Sequence, residues 1–171
     1  MKIFKLLILI TIIFNTNLNA DIPFFIDFKY VLNESTAGKK AQADLKSQLE
    51  KGIANLNKDE KKLQEEEKKL IQQKKIIDQG EYKKKVEELR AKVSKLQKDK
   101  QSLLNNVAKQ RAKARTELLK NLNPILENYM KEKNIKMIVD KKNLIIASKE
   151  FDITSDVTNL LNGKVKSLNY K

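Results

Sequence analysis

The side chains of this sequence that could do chemistry are almost all amines and carboxylates. There is no cysteine and no histidine, while 36 lysines and arginines stand against 22 aspartates and glutamates. Histidine is the commonest general base and the commonest metal ligand, so the usual routes to catalysis are missing. A zinc site would need carboxylates alone, against that ion's preference for nitrogen and sulfur. No G-x-x-x-x-G-K-[ST] loop is present to cradle a nucleotide phosphate. These residues point away from an enzyme and ask for no cofactor and no metal. What they supply is an electrostatic field, with a formal net charge of +14.

The charge has a location. Residues 38 to 120 carry 24 Lys and Arg against 13 Asp and Glu, a net +11. Lys74 and Lys75 on one side of Asp78-Gln79-Gly80, and Lys83, Lys84 and Lys85 on the other, make a basic group around those three residues. The plain reading is a solvated helical surface laced with i,i+4 Glu–Lys pairs. A one-signed excess also attracts nucleic acid, anionic lipid or acidic protein segments. Nucleic acid fits worst. Arg90, Arg111 and Arg115 are the only arginines, and Tyr82 is the only aromatic residue between 38 and 120, leaving neither guanidinium forks nor a stacking platform.

These groups must be positioned by a chain of few elements. Residues 1–20, MKIFKLLILITIIFNTNLNA, have two lysines, a short apolar run and a small final residue, the pattern of a secretory signal peptide cleaved after Ala20. The apolar run falls short of the roughly 20 residues that a membrane-crossing helix needs. Losing Lys2 and Lys5 lowers the charge from +14 to +12 and leaves residues 21–171 as one domain. Without cysteine, that domain cannot rest on disulfides outside the cytoplasm.

Three regions follow. Residues 21–35 begin a body, and the first half of IPFFIDFKYVL (22–32) reads as its first strand. Residues 36–121 contain no proline and three glycines, and their Lys, Glu, Gln, Leu and Ala favour helix at nearly every position. Asn33 or Ser35 can cap that helix. Residues 122–171 return to the body. Pro124 belongs at a kink or in a first turn, with Asn123 before it as a cap, so that PILENYMKEK forms a new helix packing Ile125, Leu126 and Tyr129 onto strands. IKMIVD (135–140) and NLIIAS (143–148) read as a strand hairpin. Asp152 to Leu168 reads as a closing helix, with Thr154 as N-cap and Asp156 in its first turn.

The long region has internal arithmetic. Leu49, Leu56, Leu63, Leu70 and Ile77 repeat every seven residues, as do Tyr82, Leu89, Leu96 and Leu103. Heptad apolar repeats make a coiled coil. Folding the chain at Asp78-Gln79-Gly80 sets Ile77 against Tyr82, Leu70 against Leu89, Leu63 against Leu96 and Leu56 against Leu103, all summing to 159. The positions between sum to 160: Ile53 with Val107, Glu60 with Lys100, Glu67 with Val93, Lys74 with Val86. One helix pairing with another chain has no reason to mirror itself about a glycine. The expectation is an antiparallel hairpin turning at Gly80 through a positive φ, with arms of roughly 60 Å. Its only apolar partner is one thin seam, so it flexes towards the tip.

Two stretches carry a resemblance. FIDFKYVLNESTAGKKAQADLKSQLEK (25–51) resembles the start of the Skp/OmpH family of periplasmic chaperones, through Ile26-Asp27 and Val31 to Gln42. IKMIVDKKNLIIASKEFDITSDV (135–157) resembles the family's strand, turn, strand and D-I-T-x-x-V helix start. The resemblance implies a mainly α fold with a small three-stranded β/α body built from strands of three subunits, from which three coiled-coil hairpins hang like tentacles. It also implies ATP-independent holding of unfolded outer-membrane proteins in the periplasm. Lipopolysaccharide or phospholipid contact is attributed to some members, and no such site maps residue by residue here. The body fits that picture. Phe24, Phe25, Ile26, Ile138, Val139, Ile145, Ile146 and Val157 are more apolar surface than one subunit's few short elements can bury, which favours burial between subunits; that the assembly is a homotrimer is what the resemblance implies. The competing readings are a secreted coiled-coil spacer and a basic membrane-surface binder, neither of which holds clients.

Overall fold

A computed structural model of the chain describes residues 22–171, so the leader and the cleavage expected after Ala20 lie outside the described residues. Strand β1 is short, Phe24–Ile26, and the second half of IPFFIDFKYVL is helical. Helix α1 (Phe28–Glu34) starts there because the Asp27 carboxylate accepts the Tyr30 N–H at 2.8 Å. Ser35 then breaks the chain. It is fully buried in an extended conformation, and its hydroxyl accepts the Gly38 N–H at 3.2 Å to cap helix α2 (Thr36–Gln73). Asn33, the other candidate cap, instead accepts from Gln42. Gly38 is required by the crowding at this corner, since a Cβ there would lie 2.0 Å from the Leu32 carbonyl oxygen.

Helix α3 (Gln79–Lys133) returns from the tip into the body without a break. Pro124 therefore starts no new segment and Asn123 is no cap; both sit inside the helix and face solvent. The lost N–H costs one hydrogen bond at an exposed position. Buried Leu118, Leu122, Ile125 and Tyr129 hold the helix on either side of it, so packing overrides the local preference. The helix ends where Asn134 takes a left-handed φ of 53° and its N–H returns to the Lys131 and Met130 carbonyls.

Strand β2 (Ile138–Asp140) lies parallel to β1, with Phe24 opposite Ile138 and Ile26 opposite Asp140. The expected hairpin of IKMIVD with NLIIAS does not form. Among the described residues the sheet has two strands, and its third contact is the single bridge between Phe25 and Asp152. Lys141–Asn143 instead make a 3-10 turn, whose start is tied down by the Asp140 carboxylate accepting the Lys142 N–H at 3.1 Å. Ile145 and Ile146 follow with no strand partner among the described residues.

Helix α4 (Thr154–Lys164) closes the body, shorter than the expected span to Leu168. Thr154 is its first residue rather than its N-cap, because the threonine hydroxyl is taken by the Asp27 N–H at 2.8 Å. The Asp152 carboxylate accepts the Thr154 N–H at 3.0 Å, and Asp156 occupies the first turn. One core unites these elements: Val31 of α1, Leu118 and Leu122 of α3, and Val157 and Leu161 of α4 are essentially without solvent contact. The Tyr129 hydroxyl donates to Asp156 at 2.7 Å across it; burial, then the neighbouring carboxylate, push this phenol up to about 12.

Candidate functional site

The parts that could meet a partner are the hairpin, its tip and the free edge of the body. The hairpin stands clear of the core because its seam is narrow. Along it Leu70, Leu96 and Val107 are buried, while Leu49, Leu56, Leu63, Ile77, Tyr82, Leu89 and Leu103 are half-buried. Near the root, the Leu103 side chain sits over Gly52, where a Cβ would come within 2.6 Å of its methyl groups. Further out, Glu60 meets Lys100 at 3.1 Å and Glu66 meets Lys92 at 2.6 Å across the helices. Such exposed pairs fix register more than they add stability.

The seam is not closed everywhere. Ile53 is 43% exposed, and so is Val93, which stands at the level of the solvent-facing Glu67. A carboxylate gains nothing by covering a valine, so it turns to water and leaves the apolar side chain open. Around Val93 the two helices leave a groove of about 480 Å³ lined by Leu63, Leu70, Leu89 and Leu96 among others. Ile71 and Leu104 add further exposed apolar surface on the arm.

The tip differs from the expected one. Gly80 lies in the first turn of α3 and takes no positive φ. The reversal is made by residues 74–78, and Asp78 caps α3 by accepting the Gly80 and Glu81 N–H groups at 2.7 and 3.3 Å. An aspartate in extended conformation thus does the work assigned to a glycine. Lys74, Lys75, Lys83 and Lys84 are exposed and, among the described residues, in no ion pair; Lys85 is half-buried and pairs with Glu81 at 2.8 Å. Ile76 projects among them, 80% exposed. Ile76 lies outside the seven-residue series that contains Ile77, so the sequence pattern gave it no role.

At the body edge, Phe25, Ile26 and Val157 are buried and belong to this chain's own core, so they are not free for a neighbour. Phe24, Ile138 and Val139 are half-buried, with the Phe24 ring edge-on to Phe151 at 5.5 Å. Ile145 and Ile146 are 104% and 90% exposed. Adjacent isoleucines left in water are costly unless something covers them. No group of histidine, cysteine or carboxylate side chains among the described residues could hold a metal ion, and no described helix is long and apolar enough to cross a membrane.

The family described as outer membrane protein (OmpH-like) matches residues 24–161. The chain belongs to the OmpH-like family. A solved structure with the same fold is that of a protein from Caulobacter crescentus CB15 described as a candidate outer membrane chaperone, OmpH-like. The two superpose with a TM-score of 0.80 at 23% identity, over 88% of this chain and 90% of that one. No curated protein matches. The OmpH-like match begins at β1 and ends at Leu161, so residues 162–171 lie beyond it.

Proposed function

We propose that this OmpH-like chain is an ATP-independent periplasmic holdase, which keeps unfolded outer-membrane proteins from aggregating between the arms of a homotrimer. The observation that carries this reading is exposed apolar surface along a basic arm: Ile53 and Val93 of the open seam, and Leu104 elsewhere on the arm, face solvent. An unfolded chain meets there a long-range attraction and many small apolar contacts, none of them a fixed motif. Three arms acting together turn weak contacts into avidity. The trimer is supported by Ile145 and Ile146, whose exposure is relieved if a neighbouring copy covers them. The family membership and the description of the Caulobacter protein point the same way.

The test is aggregation of a β-barrel protein diluted from urea, followed by light scattering with the mature chain present and ATP absent. Suppression is the expected result. A client that aggregates unchanged would leave the spacer reading in its place. Mass measurement should give three subunits, and a monomer at micromolar concentration would remove the enclosing cavity. The tip favours a second reading, contact with an anionic lipid or lipopolysaccharide surface, because Ile76 projects among exposed Lys74, Lys75, Lys83 and Lys84. Binding to anionic vesicles that collapses with salt and with Ile76→Asp would support it.

A further inference from the structure

The last seven residues of the sequence form a strap. Beyond α4, Val165 and Leu168 pack on the body core, and Tyr170 then enters the root of the hairpin. Its ring lies against Ala41 and Leu45 of α2 and Ala114 of α3, and it is 5% exposed. The hydroxyl donates to the Ala41 carbonyl at 3.3 Å, and Lys171 reaches Asp44 at 3.8 Å in an exposed pair. Two alanines at this level of the seam leave a ring-sized recess, where leucines would close it. The phenol is pushed up by burial and then by the nearby Asp44 carboxylate, in keeping with a dry seat.

We propose that this recess is an aromatic-binding site at the base of the arms, occupied by Tyr170 in the resting chain and taken over by an aromatic residue of an unfolded client. Tyr170 itself shows what the site accepts: a ring with one hydroxyl placed for a backbone carbonyl. The strap is anchored at Val165, Leu168 and Tyr170, and Ser167 and Asn169 between those anchors are exposed. A terminal segment of this kind opens locally at less cost than the core helices. It lies past the OmpH-like match, which ends at Leu161. The client side of this proposal rests on the holdase reading; the recess itself does not.

Two arms separate those dependencies. In the first, a fluorescent peptide with the sequence of residues 165–171, VKSLNYK, is titrated into the full chain carrying Tyr170→Ala. Saturable binding is expected. The same peptide with alanine for tyrosine should bind about tenfold more weakly, as should the intact peptide to the wild-type chain, whose recess is filled. Absence of binding to the Tyr170→Ala chain would overturn the recess whatever the chain does with clients. In the second, Asp44→Cys and Lys171→Cys, the only cysteines present, are joined by a short bismaleimide to lock the strap. The locked chain should capture an unfolded β-barrel about tenfold less well than the same variant uncrosslinked. Equal capture would overturn the takeover by clients. If neither form captures a client while the peptide binds, the holdase reading fails and the recess stands.

Discussion

Leu103 over Gly52 offers a measurement of the hairpin register. Replacing a glycine inside a helix by alanine stabilises by about 0.5–1 kcal/mol, because the unfolded chain loses freedom. Here the new Cβ would sit 2.6 Å from both Leu103 methyl carbons, so the leucine must change rotamer or the helices must part. Overpacking of this kind costs about 1–3 kcal/mol, and the lower end applies because the crowded atoms end a flexible side chain. Gly52→Ala should therefore be near neutral. With Leu103→Ala already made the crowding is gone, and the same change should stabilise by about 1 kcal/mol. The coupling in this double-mutant cycle is then about 1 kcal/mol, above the few tenths within which independent sites add. Urea unfolding followed by circular dichroism, with hydrogen exchange at residues 45–60 and 96–110, reads it. Additive effects would refute the packing of α3 onto α2 at this level, and with it the hairpin register.

Leu118 has no solvent contact, and Leu118→Ala should cost about 3–4 kcal/mol in urea unfolding; a loss below about 1 kcal/mol would mean the body core lies elsewhere. Tyr129 keeps its proton in the folded chain to about 12 against 10.0 for the free phenol, so its contribution is complete below pH 10 and is lost as pH rises through the folded value. That shift corresponds to about 2–3 kcal/mol, and Tyr129→Phe should remove this part of the alkaline decline measured by urea midpoints. Asn134→Val should cost about 1–2 kcal/mol for its left-handed backbone, while Asn134→Gly should be tolerated; equal melting temperatures for the two variants would contradict the cap.

The long helices were legible because a seven-residue period survives any choice of surface residues. Leu56, Leu63 and Leu70 repeat strictly enough to reveal two facing stripes without any knowledge of the body. The turn was less legible. Gly80 and Asp78 stand two residues apart, and only the hydrogen bonds made by Asp78 decide which of them shapes the reversal. Strands of three residues leave hardly one cycle of alternation to read, and β1 pairs with a segment more than a hundred residues away. NLIIAS has the apolar residues of a strand but no partner among the described residues, and a pattern of side chains cannot announce a missing partner. Pro124 misled for the opposite reason: its rule is local, and the four buried residues around it are not. Tyr170 gave no signal in the sequence because a lone aromatic near the end of a chain has no period.

The N-terminus of α2 is completed from far away. Beside the Ser35 cap, the Thr36 N–H donates at 2.7 Å to the side chain of Asn162, a residue made 126 positions later, and Asp27 waits in the same way for Thr154. A polypeptide synthesised from its first residue onward can zip the two arms as soon as both exist, since each finds the other nearby. The shoulder from which they spring stays unfastened until the closing helix has emerged. Fragments cut short before that point would carry greasy, positively charged rods with no anchor, ready to stick to one another, and the chain becomes safe to its neighbours only when it is nearly whole.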